Sequence, residues 1–193
     1  LAFESRDRAP TSRNGYEARQ VYNPLADGSV DPRELDFDHA NNFRVGRADI
    51  QDLSFVYNLG YSFNNTTELY SFGTYGQRDG DSAAFYRQPK QGRSLGIFPD
   101  GFLPHITTDV VDTAIVVGVN GELDEWNWDA SIDYGKNDFG LGNENTVNSS
   151  LGDNSPTSFY NGALIYDQTI VNLTFDNMLD FGLYDDVFFA IGV

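Results

Sequence analysis

Seven stretches of this chain alternate apolar with polar residues, near 1–4, 50–63, 67–77, 111–122, 125–139, 166–181 and 187–193. The clearest is the fifth. Trp126, Trp128, Ala130, Ile132 and Tyr134 fall on one side, against Asn127, Asp129, Ser131, Asp133 and Gly135 on the other. A period of two is the mark of a β-strand, whose successive side chains point to opposite faces. The second stretch puts Leu53, Phe55, Tyr57, Leu59, Tyr61 and Phe63 on one face. In the sixth, Val171, Leu173, Phe175, Leu179 and Phe181 oppose Asn172, Thr174, Asp176 and Asp180, with Asn177 as a misfit. The third is ambiguous, because Tyr70 and Phe72 compete with Leu69 and Tyr75 for the apolar side. The pattern predicts an all-β chain, an antiparallel meander with one greasy and one wet face. Such a face suits either a half-covered soluble sheet or the wall of a membrane barrel.

The connections alternate between short and long. Asn64-Asn65-Thr66, Glu122-Leu123-Asp124 and the link from Gly182 to Asp186 are turn-sized. Residues 5–49, 78–110 and 140–165 are expected to be long loops, and all seven prolines lie in them. Proline cannot donate to a strand ladder, so its confinement agrees with the strand pattern. Loops beyond about 15 residues are unusual in compact soluble domains. Short turns on one rim and long loops on the other are the layout of an outer-membrane barrel.

Composition sharpens this picture. With a mean hydropathy of -0.42, 40% hydrophobic residues and no apolar run near the roughly 20 residues of a membrane helix, helical insertion is excluded and a barrel is not. The net charge of -17 and the lack of a basic stripe argue against a nucleic-acid partner. With no cysteine, thiol catalysis and thiolate metal sites drop out. His39 and His105 have no close His or Cys companion, so no metal or other cofactor is expected. The start, Leu1-Ala2-Phe3-Glu4-Ser5-Arg6, has neither Met nor a secretory leader, which predicts a segment of a longer protein. Seven strands would also leave two unpaired edges, costly in hydrocarbon, so the segment is expected to be a slice of a barrel or to assemble with other chains.

Several loop segments occur together in order: Arg8-Ala9-Pro10-Thr11-Ser12-Arg13, Asp31-Pro32-Arg33-Glu34, Phe85-Tyr86-Arg87, Phe98-Pro99-Asp100-Gly101-Phe102-Leu103-Pro104, and the stretch from Asn145 to Phe159. With Trp126-Asn127-Trp128-Asp129, they resemble the barrel region of TonB-dependent outer-membrane receptors of Gram-negative bacteria, over essentially the whole chain. The resemblance implies a plugged barrel of about 22 strands, with long loops extracellular and short turns periplasmic. It implies import of a scarce nutrient, such as a siderophore, cobalamin, haem or an oligosaccharide, with energy coupled through TonB. The implied partners are outer-membrane lipid, the plug and remaining strands, TonB and the small-molecule or oligosaccharide cargo. The chain departs from a complete receptor in lacking a recognisable plug, a TonB-coupling box and an aromatic-ended C-terminal strand. Rival readings are a secreted acidic β-sandwich that binds carbohydrate and a passive porin-type barrel.

Candidate sites follow from residue chemistry. Tyr86, Arg87, Phe98, Asp100, Phe102 and His105 mix aromatic surface with polar groups in the second long loop, which suits ligand capture; the alternative is that the aromatics and prolines fix the loop's shape. Trp126 and Trp128 fit an interfacial aromatic girdle better than a sugar platform. Asp129, Asp133, Asp176 and Asp180 fit a hydrated interior better than a cation path, and Asp79-Gly80-Asp81 and Asp185-Asp186 lack calcium-loop spacing. No nucleophile–base arrangement stands out, and no enzymatic activity is expected.

Overall fold

A computed structural model describes residues 1–40, 42–93 and 96–193. Seven strands form one antiparallel sheet in chain order: β1 (Ala2–Arg8), β2 (Asp49–Ser62), β3 (Thr67–Ala83), β4 (His105–Leu123), β5 (Trp126–Glu144), β6 (Phe159–Leu179) and β7 (Val187–Gly192). The meander of strands expected from the alternation is present. A sandwich needs a second sheet packed on the first, and all seven strands here belong to a single one.

The strands outrun their sequence pattern toward the long loops. β3 continues to Ala83 rather than ending at 77, β4 begins at His105 rather than 111, and β6 begins at Phe159 rather than 166. The long connections shrink to residues 9–48, 84–104 and 145–158. The added rungs of β3 and β4 put Asp79, Asp81, Thr107 and Asp109 on the apolar side and Arg78, Gly80 and Thr108 on the other, and those of β6 are apolar on both faces at Leu164 and Ile165, so no apolar period marks them. Ladder hydrogen bonding extends them anyway.

Local chemistry sets the turns. Asn64 Oδ1 accepts from Thr66 N at 2.8 Å and from Thr66 Oγ1 at 3.0 Å, an Asx turn that reverses the chain into β3. Asp124 adopts φ 56 between β4 and β5, the left-handed geometry that a two-residue hairpin turn requires and Asp tolerates. At the third short link, Gly182 N donates to Asp180 Oδ1 at 2.7 Å.

Register carries the two faces across the sheet. Leu59, Ser71, Val117, Ile132 and Val171 are successive cross-strand neighbours, as are Tyr61, Leu69, Val119, Ala130 and Leu173. The opposite face carries Gly60, Tyr70, Gly118, Ser131 and Asn172 in one row. The ambiguity in β3 is thereby resolved: Leu69 and Tyr75 join the apolar face, and Tyr70 and Phe72 the polar one. Gly118 makes this possible, because a Cβ there would collide with the Tyr70 ring. The Tyr70 hydroxyl then donates to Asp129 Oδ1 at 3.0 Å. Asn177, the misfit of β6, faces Phe189 in β7 and is buried.

Among the described residues, neither face is covered by another layer. Leu59 is 58% exposed, Ile132 56% and Val171 68%. The buried hydrophobic residues among those described are Val21, Tyr22 and Phe102, all in the long loops. Higher up, the apolar face becomes acidic: the row of Gln51, Asp79, Asp109 and Gly140 lies above it, then Asp49, Asp81, Thr107 and Gly142. No helix among the described residues is long and apolar enough to cross a membrane.

Candidate functional site

The loops of 9–48 and 84–104 fold onto each other at one rim. The first continues the β1–β2 hairpin as two arms, with Arg13 N donating to Val45 O and Glu17 N to His39 O, both at 2.8 Å. Between the arms, a short 3-10 turn, Pro32–Leu35, starts from Asp31, whose side chain accepts from Arg33 N at 3.0 Å. The proline fixes the backbone at the first position, and the Asp side chain caps a free amide. Glu34 then folds back. Its Oε1 accepts from the backbone amides of Val21 and Tyr22, each at 2.7 Å. Val21 is fully buried, so these amides have no access to water and the carboxylate satisfies them.

The second loop closes on itself through Arg87 and Phe102, which exchange backbone hydrogen bonds of 2.8 and 3.0 Å. Gly101 sits beside this bridge at φ 84, where a Cβ would lie 2.6 Å from the Tyr86 hydroxyl oxygen. That hydroxyl donates to Asp100 O at 2.6 Å. Only glycine fits both the left-handed backbone and the close approach.

Asp100 joins the two loops. Its Oδ1 accepts from the Tyr22 hydroxyl at 3.0 Å and lies 3.6 Å from Arg33 Nη1. The Arg33 guanidinium carbon stands 4.3 Å from the centre of the Tyr22 ring, a cation–π contact, while Arg33 also bonds Asp31 at 2.7 Å. Phe37 packs against Tyr86 with ring centres 5.7 Å apart and against Tyr22 at 6.1 Å. Burial, with Asp100 close by, pushes both Tyr22 and Tyr86 up to about 12. Arg19, hydrogen-bonded to Glu17, holds that carboxyl down at about 2.

Of the six residues expected to form a capture site, five gather here and one does not. Tyr86 and Asp100 stand in the inter-loop network. Arg87 contributes its backbone. Phe102 is 5% exposed, and its ring centre lies 4.8 Å from that of Phe98, so this pair shapes the loop from within. His105 is the first residue of β4 rather than a loop residue. Its Nδ1 lies 2.8 Å from Asp81 Oδ2, and Arg44 reaches the same carboxylate at 3.0 Å. Sequence reading missed Tyr22, Arg33, Glu34 and Phe37. Their signal was weak: Pro32 after Asp31 marks a turn start, but nothing local reports that residue 22 meets residue 100.

Among the described residues, no group of three or more His, Asp or Glu side chains is arranged to hold a metal ion. The loop pair is an aromatic shelf with charged edges that presents Tyr16 and Phe85, both 72% exposed, at the rim. Compared with protein-family models, curated proteins and solved structures, the chain matches none.

Proposed function

We propose that this chain is part of the wall of an outer-membrane β-barrel, from a TonB-dependent transporter that captures and imports a scarce small molecule. The observation that carries the reading is the uncovered apolar face. On β5, residues 126–134 span nine positions of outward apolar alternation, against the roughly 9–11 that a tilted strand needs to cross hydrocarbon. In water such a face would be a large exposed apolar patch of the kind that drives association; against acyl chains it is solvated. The rows of Asp79 with Asp109 and Asp49 with Asp81 then fall at headgroup level, where charge keeps its water. At the opposite end, Trp126 lies edge-on to Phe189 with ring centres 6.0 Å apart, and Tyr61 lies edge-on to Phe63 at 5.4 Å. Aromatic rings at that level form a girdle.

The polar face lines the passage in this reading, and the shelf made by loops 9–48 and 84–104 stands at its extracellular mouth. Energy coupling and nutrient cargo enter through the loop motifs' resemblance to the receptors, since no residue described here performs them. The chain carries only two tryptophans, Trp126 and Trp128, and both alternate onto the apolar face. Their fluorescence therefore tests the reading directly. In micelles of a brominated alkyl glycoside, emission is expected to fall several-fold relative to the unbrominated detergent. Equal emission in the two would mean that this face does not touch acyl chains.

A further inference from the structure

The polar face carries a groove away from the loop shelf. It has a volume of about 470 Å³ and opens over Gly76, between Arg78 and Asp52 on one side and Val110, Asp112 and Phe139 on the other. Register places these side chains together: Asp52, Arg78, Val110, Phe139 and Leu164 form one cross-strand row, and Ser54, Gly76 and Asp112 lie in the next.

The groove's charges are arranged in an unusual way. Asp52 is shared by two guanidinium groups, with Arg78 Nε 2.5 Å from Oδ1 and Arg8 Nη2 3.3 Å from Oδ2. One carboxylate cannot neutralise both, and the other negative charge in the groove, Asp112, acts on Arg78 only at a distance, without closing an ion pair. Arg78 uses only Nε in this pair, and its terminal nitrogens donate to no acceptor among the described residues. Asp112 accepts from Asn137 Nδ2 at 2.7 Å through Oδ1 alone. Arg78 and Asp112 are diagonal neighbours on adjacent strands, roughly 7–8 Å apart at the backbone, and they close no ion pair. A donor fork and an acceptor thus face one gap, beside the apolar surface of Val110 and Phe139.

We infer that this groove binds a small zwitterion with an apolar side group, of the α-amino acid class. The carboxylate would meet the Arg78 fork, the ammonium Asp112, and the side group the Val110–Phe139 wall. A simple anion would gain the first contact but face Asp112, which closes no ion pair with Arg78, on a chain of net charge -17. A simple cation would leave the Arg78 fork unmatched. Pairing both charges satisfies the site in the way that fully matched polar groups set specificity. The inference rests on the sheet register and the side-chain geometry of the groove and does not depend on the membrane reading.

The test is calorimetric titration of the 193-residue chain in detergent micelles with L-phenylalanine, 3-phenylpropanoate and phenethylamine. The zwitterion is expected to bind at least about tenfold more tightly than either single-charge analogue, as loss of one charge-assisted hydrogen bond implies. Asp112→Asn keeps the acceptor for Asn137 and removes the charge, and should weaken L-phenylalanine about tenfold. Gly76→Leu should abolish binding by filling the groove, because a Cβ there meets nothing nearer than Asp112 Cβ at 4.0 Å. Absence of L-phenylalanine binding at millimolar concentration, equal affinity for 3-phenylpropanoate, or indifference to Asp112→Asn would each overturn the assignment. Quenching by brominated detergent reads the apolar face separately, so failure of one reading leaves the other measurable.

Discussion

Ile132 and Asp133 are adjacent residues on opposite faces, and exchanging the chemistry of each isolates what the faces do. Ile132 sits in the row of Leu59, Val117 and Val171, near the middle of the apolar band, and is 56% exposed. If that exposure is to lipid, Ile132→Arg places a guanidinium close to the bilayer midplane at about 2–4 kcal/mol. That is roughly 30-fold to several hundred-fold in the folded-to-unfolded ratio. Asp133 accepts from Asn172 Nδ2 at 2.8 Å and from Ser131 Oγ at 3.3 Å. Asp133→Asn retains one acceptor oxygen, so the loss is at most about one ordinary hydrogen bond, near 1 kcal/mol. The unpaired edges of β1 and β7 cost the same in both variants and cancel in the comparison. The assay is insertion into thin-bilayer vesicles, read as the fraction protected from protease after urea titration. Ile132→Arg is expected to lose most of its protected fraction and Asp133→Asn to keep it. Equal protection of the two, or a larger loss for Asp133→Asn, would refute the assignment of faces.

The loop shelf offers four further tests. Tyr22 and Tyr86 are held protonated to about 12, against about 10 for free tyrosine. Because the folded value is raised, the stabilisation is complete below pH 10 and is lost as pH rises from there through 12, so near-ultraviolet dichroism of the shelf should decay in that window. Asp100→Asn should lower the Tyr22 transition in a 295 nm titration, and an unchanged transition would exclude the Asp100 contact as a contributor. Gly101→Ala, forced into φ 84 against Tyr86, should cost about 1–2 kcal/mol and expose residues 84–104 to proteolysis; resistance equal to the native chain would show that the bridge adapts. Glu34→Gln removes the charge that holds the Val21 and Tyr22 amides and should cost about 1 kcal/mol or more, seen as faster amide exchange at both residues.

The sheet was legible because half of each strand needs an apolar face, and an alternating period survives in the sequence wherever that need exists. It faded where the need ends. Above the apolar band, residues such as Asp79, Asp81, Thr107 and Asp109 pair just as regularly, yet their chemistry resembles that of a loop, and their rungs were assigned to loops. β3 was opaque for another reason. Its Tyr70 and Phe72 are aromatic but polar-facing, and the glycine that accommodates Tyr70 lies across the ladder in β4. Register supplied by a partner strand is invisible to local periodicity. The shelf was half legible: Phe98, Asp100 and Phe102 stood out as a loop cluster, whereas Tyr22 joins them through a contact made across 78 positions of chain and Arg33 through its approach to the same Asp100.

Strand direction adds a constraint that no single residue carries. β1 runs toward the long-loop rim, and each later strand reverses, so β7 runs toward the same rim as β1. The two open edges of the wall are therefore parallel to each other. A ring of copies related by rotation about a barrel axis would join β7 to the next β1 in parallel, against the antiparallel order of every pair in the sheet and of outer-membrane barrels. Antiparallel closure around this wall takes an odd number of further strands. A barrel of about 22 strands meets that parity, since the remainder after seven is odd, and so does any other even-numbered barrel. In the proposed reading, then, the neighbours of β1 and β7 are strands of different sequence rather than repeats of this one. The specificity of those two seams has to come from side chains such as Phe3 and Arg6 on one edge and Phe188 and Ile191 on the other.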